Sequence, residues 1–405
     1  MLKRPIWNTI AQIGGKIITV LLSLVTTGIL TRELGASVYG NYLLITSVFL
    51  LFDSLADFGT RSIGVREAAR AEGKKRNEIY IQVAWVRLIT SLLAFLIGLI
   101  LIFGWAGFST IKMEALVALM MIFFTSMAGS LEIIFQTEIR MELKVLMDIL
   151  FPVLFLVMLL IWPLKINLLW VMLAYLVARI LSLNLGWGLV KKILGEFKIK
   201  LLNKTFLKIF LKESWPMGLY MILFTGYDRA VDSVLIKQFF GAEKVAFYGL
   251  AYKIYSSLVQ PAYYFVNSIF PLMSGNSLSK RDLFKKSFWL IAAGLVILVP
   301  TVYYLSPWIV ETLAGSGFGE SVVVLRILLL ALIFAYVSHL FGFSLIAKGG
   351  QKSILVIGII SLLVNVSGNL ILIPRFGIEG AAWMTVATEG LASILMLGVL
   401  IKRFA

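Results

Sequence analysis

Six ionisable residues, Lys16, Arg179, Asp228, Arg229, Lys253 and Glu389, stand deep inside long apolar runs of the chain. If those runs cross a bilayer, each charge costs at least ~2.5–3.5 kcal/mol and requires an opposite charge, a wet cavity or a ligand. Four of the six are cations and two are acids, so a cavity built from them suits an anionic cargo. Arg87, Asp53, Asp57 and Asp232 lie nearer the ends of their runs, and Glu132, Asp148 and Arg326 lie near enough to an end to snorkel. Spacing adds further chemistry. Arg229 and Asp232 are three apart on one helix and can neutralise each other without a ligand. Asp228 and Asp232 are four apart, as are Asp53 and Asp57. Two acids on one helix face can hold a proton or a sodium ion, and interhelical salt bridges account for them equally well. Lys16 follows Gly14-Gly15, where missing side chains admit a neighbouring helix or a phosphate group; pairing with Asp53 or Asp57 is the alternative.

The chain has no Cys and one His, which excludes disulfides, thiolate nucleophiles, Cys-ligated clusters and a zinc site built from imidazoles. No metal site or cofactor is expected beyond a coupling H+ or Na+. Of 405 residues, 60% are hydrophobic and 14% charged, against roughly 45–50% and about 25% in an average soluble domain. With a mean hydropathy of +0.96, the net charge of +16 points to a membrane surface and not to nucleic acid.

A bilayer core needs about 20 apolar residues per helix. Twelve segments qualify: 7–30, 39–58, 80–103, 115–135, 146–162 and 168–189, then 216–236, 245–270, 288–305, 322–346, 354–373 and 378–401. The first follows Lys3 and Arg4 but ends without a small-residue cleavage site, so it reads as a retained helix. Alternate loops hold nearly all loop cations, while the opposite set keeps only Arg32, Lys112, Lys165, Lys237, Lys244 and Arg375. Cationic loops resist translocation, so both termini are placed in the cytoplasm. Residues 191–213 space Phe197, Ile199, Leu201, Phe206, Ile209 and Phe210 among lysines, which predicts a basic amphipathic linker on the inner surface, in reach of anionic lipids. It joins lobes at 1–190 and 214–405.

An internal repeat supports this division. Leu34-Gly-Ala-Ser-Val-Tyr-Gly-Asn-Tyr-Leu-Leu44 aligns without a gap with Phe240-Gly-Ala-Glu-Lys-Val-Ala-Phe-Tyr-Gly-Leu250, at an offset of 240 − 34 = 206. The offset places span 1 over span 7 in the same orientation. The expected fold is therefore all-α: a polytopic bundle of twelve transmembrane helices in two six-helix lobes related by a parallel repeat, with cargo near the midplane and alternating access between the lobes. Other features read as structure. His339 is a packing residue, Gly315, Gly317 and Gly319 form a turn, Pro152, Pro261 and Pro300 kink spans, Pro216 starts one, and Tyr248, Tyr252 and Tyr255 pack on one face of span 8.

Longer motifs resemble a known family. Thr31-Arg-Glu-Leu-Gly-Ala-Ser-Val-Tyr-Gly40, Leu55-Ala-Asp-Phe-Gly-Thr60 and Arg66-Glu-Ala-Ala-Arg70 are similar to the N-terminal pattern of the Wzx-type polysaccharide-biosynthesis flippases. Tyr227-Asp-Arg-Ala-Val-Asp232, Tyr248-Gly-Leu-Ala-Tyr252, Asn365, Asn369 and Leu372-Ile-Pro-Arg-Phe-Gly-Ile-Glu-Gly-Ala-Ala382 resemble its second half. The resemblance implies a MATE-like member of the multidrug/oligosaccharidyl-lipid/polysaccharide exporter superfamily in the cell (inner) membrane. Its cargo would be an oligosaccharide on polyprenyl pyrophosphate, and polysaccharide polymerases or glycosyltransferases would be its partners. Lys16, Arg87, Arg179, Arg229 and Lys253 would then meet the cargo. Asp53, Asp57, Asp228, Asp232 and Glu389 would balance those charges or carry the coupling ion. A cation-coupled drug exporter of the same superfamily is disfavoured by Lys16, where such exporters often place an acid. A polytopic glycosyl- or phosphotransferase is disfavoured by short loops without a dense Asp cluster.

Overall fold

Hydrocarbon offers no partner for a free N–H or C=O, so an apolar chain of this kind folds into helices that satisfy their own backbones. The computed structural model describes residues 3–161, 165–195, 200–225, 230–274 and 280–404. Its helices are α1 (Lys3–Asp57), α2 (Thr60–Ala69), α3 (Gly73–Gly104), α4 (Lys112–Thr137), α5 (Met141–Ile161), α6 (Leu168–Leu194), α7 (Lys204–Thr225), α8 (Val231–Phe240), α9 (Ala242–Ser274), α10 (Lys280–Ala314), α11 (Gly319–Ala347) and α12 (Gln351–Phe404). There is no strand among the described residues. The twelve expected spans map onto these helices, with residue 162 and residues 226–229 outside the described residues. α1 and α12 each carry two, turning at Gly35 (φ 70°) and Gly377 (φ 60°), a left-handed backbone that glycine adopts without a Cβ clash. The seventh span is divided between α7 and α8.

The parallel repeat is written into the backbone. Gly35 and Gly241, related by the offset of 206, both have positive φ, at 70° and 85°. Further along, the 3-10 turns Ala106–Phe108 and Ser316–Phe318 precede α4 and α11, and each buries its phenylalanine. α4 and α11 then end alike: Arg140 N donates to Phe135 O and Gly350 N to Leu345 O, each at 2.7 Å, at an offset of 350 − 140 = 210. Ile139 and Gly349, just before these donors, both have positive φ.

Contacts divide the chain into two compact units. The first comprises Met1–Leu34 and Leu44–Ala230, the second Gly35–Leu43 and Val231–Ala405. The first unit therefore includes α7. The apolar side of α7 is covered by protein: Phe206, Leu207, Phe210 and Leu211 pack against a core containing Ala68, Tyr80, Val83, Leu131 and Phe135. The chain before α7 is held by α3. Gln82 donates through Nε2 to Leu201 O at 2.9 Å and accepts from Asn203 N at 2.7 Å, and Trp85 Nε1 donates to Lys200 O at 3.0 Å. Lys200 pairs with Glu78 and Glu213 with Arg66. Lys191–Leu194 closes α6, and the Phe197 and Ile199 of the expected linker lie outside the described residues.

Candidate functional site

The first unit buries charge at the C-terminal end of its second span. α1 stops at Asp57 and α2 starts at Thr60, with Phe58 (φ 43°) and Gly59 (φ 73°) between them. A positive φ at a bulky residue such as Phe58 is a strained turn. It is wedged against α7: a Cβ on Gly59 would stand 2.7 Å from Ser214 O, and one on Gly218 would stand 2.8 Å from Phe58 O. The turn brings Asp57 and Thr60 to one donor. Arg87 Nη1, from α3, donates to Asp57 Oδ1 at 2.5 Å and to Thr60 Oγ1 at 2.8 Å, while its Nε donates to Ser126 O at 2.8 Å. Arg87 is 1% exposed and Asp57 3%.

This pair continues outward as a ladder of alternating charge. Arg61 Nε lies 3.5 Å from Asp57 Oδ1, and Arg61 Nη1 donates to Glu132 Oε2 at 3.1 Å. Lys144 follows, 3.9 Å from Glu132 and 2.7 Å from Asp148. Side-chain exposure is least at Arg87 and Asp57, 1% and 4%, and greatest at Asp148, 42%, with Arg61 at 35% and Glu132 at 18% between them. Gly129 makes room for it, because a Cβ there would fall on the Arg87 and Arg61 guanidinium groups. Asp57 Oδ2 and Arg61 Nε are buried without a hydrogen-bond partner among the described residues.

The geometry changes the part assigned to Arg87. Its donors are directed at Asp57, Thr60 and Ser126 and almost none of its surface is open, so it positions Asp57 and presents no face to a cargo phosphate. Asp57 in turn pairs with arginines and not with Lys16. Lys16 itself is exposed on α1, and the neighbouring Gly15 admits α5, with Val145 and Ile149 where its side chain would be. Arg179 on α6 is half-buried, lies 3.8 Å over the Phe151 ring and keeps a buried Nε without a hydrogen-bond partner among the described residues. Tyr175, one turn earlier, packs edge-on against Phe151, Phe155 and Phe49. Asp53 is half-buried one turn before Asp57, and its neighbour Ser54 bonds Thr225 of α7 at 2.7 Å.

The second unit holds a buried polar cluster around Asp232 of α8. Asp232 Oδ1 accepts from Asn369 Nδ2 at 2.7 Å and Oδ2 from the Tyr248 hydroxyl at 2.5 Å. Asn369 Nδ2 also reaches Asn365 Oδ1 at 3.0 Å, and Asn365 Nδ2 donates to Thr388 at 3.3 Å. Thr385 lies 3.5 Å from Tyr248, and Asn369 Oδ1 is buried without a hydrogen-bond partner among the described residues. α8, α9 and the two arms of α12 thus meet in one polar cluster, in which Tyr248 and Asn369 bond the carboxylate. Asp228 and Arg229, expected to act with Asp232, lie outside the described residues. Lys253 and Glu389 are half-buried on α9 and α12. His339 packs edge-on to Tyr263 at 5.9 Å.

Sequence reasoning passed over several of these groups. Glu132 reads from sequence as a snorkelling acid and Arg61 is not singled out, although it follows Asp57 by four, a spacing that announces a pair. Tyr248 was expected to pack, and its hydroxyl binds a carboxylate. Asn365 and Asn369, four apart inside an apolar span, are a signal of the same kind: polar groups in hydrocarbon need partners.

Comparison with solved structures finds this fold in known transporters. A lipid II flippase MurJ in an inward closed conformation aligns with a TM-score of 0.79 at 16% identity, covering 98% of this chain and 87% of that one. An inward-facing multidrug resistance MATE family transporter of the MOP superfamily aligns at 0.75 and 18% identity, covering 98% and 97%. An outward-facing structure of such a transporter aligns at 0.64 and 18%, covering 99% and 95%. No curated protein matches the sequence. The family model described as "Polysaccharide biosynthesis protein" matches residues 6–277. That match covers well over half of the chain, which therefore belongs to the polysaccharide biosynthesis protein family.

Proposed function

We propose that the protein is a flippase that moves oligosaccharides linked to polyprenyl pyrophosphate from the cytoplasmic to the outer leaflet of the cell (inner) membrane, by alternating access, with both termini cytoplasmic. The family match over residues 6–277 carries the reading, and the fold, shared with a lipid II flippase and with MATE transporters, supports it. Lys16, Arg179, Arg229 and Lys253 meet the pyrophosphate and any acidic sugars, and the lipid tail stays in the bilayer. Asp53 and Glu389 balance these cations. Polysaccharide polymerases or glycosyltransferases stand on either side of the transport step.

The coupling ion, H+ or Na+, binds at Asp232. A half-turn of the Asn369 amide would add its oxygen to those of Asp232, Asn365, Thr385 and Thr388. One carboxylate among neutral oxygens suits a proton or a monovalent hard cation. The test is translocation of a fluorescent polyprenyl-pyrophosphate sugar in proteoliposomes under imposed proton and sodium gradients. Wild type should respond to one gradient. Asp232→Asn should lose that response while staying folded, and Arg179→Ala or Lys253→Ala should lose translocation itself. Full activity in all three variants would overturn the assignment. Export of a cationic dye by wild type without lipid-linked sugar transport would favour the drug-exporter reading that the MATE fold keeps open.

A further inference from the structure

Arg326 stands in an apolar span of the second unit, and the transport reading gives it no task. α11 has 29 residues, about 43 Å at 1.5 Å per residue, the thickness of a bilayer with its headgroups. Arg326 is seven residues past Gly319, about 10 Å along, and therefore lies close to the edge of the hydrocarbon. α10 holds it there. The guanidinium lies 4.5 Å over the Tyr303 ring, and its Nε donates to Ser306 Oγ at 3.0 Å and to Tyr303 O at 3.4 Å. Ser306 is buried and donates in turn to Tyr303 O at 2.7 Å. One face and one edge of the arginine are thus fixed, while Nη1 and Nη2 make no hydrogen bond and meet no carboxylate among the described residues.

The surroundings are those of lipid. Val323, Leu330 and Ile333 share the Arg326 face of α11 at spacings of three, four and seven, and all three are exposed. On α10, Val296 and Ile297 are exposed as well, as are Tyr304 (78%) and Trp308 (64%), one turn apart beside Tyr303, whose ring meets that of Tyr304 edge-on at 5.7 Å. Bare apolar side chains flanked by Tyr and Trp mark a surface that hydrocarbon covers up to the headgroup level. A cation there needs a counter-charge, and the described protein supplies none.

We propose that Arg326 is a binding site for a membrane glycerophospholipid: Nη1 and Nη2 form a fork on its phosphodiester, Tyr304 and Trp308 flank the headgroup boundary, and the acyl chains cover the exposed apolar faces of α10 and α11. The planar fork suits two phosphate oxygens at once, and stacking on Tyr303 together with the Nε bond to Ser306 orients it in advance. Charge favours a phospholipid over the cargo. One guanidinium balances the single charge of a phosphodiester, whereas a pyrophosphate calls for several cations. The site lies within the second unit and is independent of what the protein transports.

The test is native mass spectrometry of the detergent-purified full chain, titrated separately with phosphatidylglycerol, with diacylglycerol of the same chains and with undecaprenyl pyrophosphate. Wild type should retain one phosphatidylglycerol ahead of any others and should not retain diacylglycerol. Arg326→Gln should weaken that first binding about tenfold or more, and Arg326→Lys, which keeps the charge and loses the fork, should fall between the two. Phosphatidylglycerol binding by Arg326→Gln equal to wild type overturns the site. Diacylglycerol held as well as phosphatidylglycerol overturns the phosphate as the group recognised. Undecaprenyl pyrophosphate held more tightly than phosphatidylglycerol, and released by Arg326→Gln, overturns the phospholipid and makes Arg326 a cargo contact. Should Arg326→Gln aggregate, Arg326→Lys carries the test, and an affinity equal to wild type then overturns the fork.

Discussion

Arg87→Met removes the most buried charge of the first unit and leaves Asp57 facing it. Three charge-assisted hydrogen bonds disappear, at 2.5, 2.8 and 2.8 Å. Breaking a buried pair by deleting one partner costs about 3–5 kcal/mol, because the survivor remains desolvated. Arg61 compensates Asp57 only in part, since its Nε stands 3.5 Å away and its Nη1 is engaged by Glu132. At about 2.1 cal/mol/K per residue, cooperative unfolding of 405 residues carries about 0.85 kcal/mol/K, so the expected fall in Tm is about 4–6 °C. The assay is loss of the monodisperse peak in size-exclusion chromatography of detergent-solubilised protein heated in steps. Asp57→Leu combined with Arg87→Met removes both charges and leaves Arg61 with Glu132, so the double variant should recover at least half of the fall. A Tm for Arg87→Met equal to wild type would refute the reasoning, as would a double variant whose cost is the sum of the single costs.

Two more perturbations probe neighbouring features. Gly129→Ala places a methyl group against two locked guanidinium groups and should cost about 1–3 kcal/mol by the same thermal assay; stability equal to wild type would show that the arginines have room to shift. Gln82→Ala strands the Leu201 carbonyl and the Asn203 amide, a loss of about 1–3 kcal/mol, and should speed proteolysis between Gly195 and Lys204; an unchanged cleavage rate would mean that Phe206 and Phe210 alone hold the segment.

The spans were legible because an apolar run of about 20 residues crosses hydrocarbon as a helix and charge marks its ends. Bends were not: Gly14, Gly35 and Gly377 all stand in or between apolar runs, and only the last two take positive φ. The repeat showed in four identities over eleven residues, while its extension through Ile139 and Gly349 lies in backbone geometry that dissimilar side chains share. Inside the site, spacing exposed Asp53 and Asp57 as neighbours on one helix. Which cation would meet them was invisible, since Arg87 is thirty residues away and arrives through tertiary packing. Asp232 was singled out, whereas Tyr248 and Asn369, which donate to it, come from two other spans and no local pattern joins them.

The grip of α3 on residues 200–203 is a grip on backbone, through Gln82 and Trp85. It bears on where the polypeptide can be severed. A fragment ending at Gly195 would keep the surface of Ala68, Tyr80 and Val83 but lose the Phe206 and Phe210 that cover it, and two such halves would meet as sticky, unfinished objects. A fragment ending at Thr225 carries its own cover. Two co-expressed half-proteins should therefore assemble when the break lies beyond α7 and aggregate when it lies before, although the earlier position is nearer the midpoint of the chain.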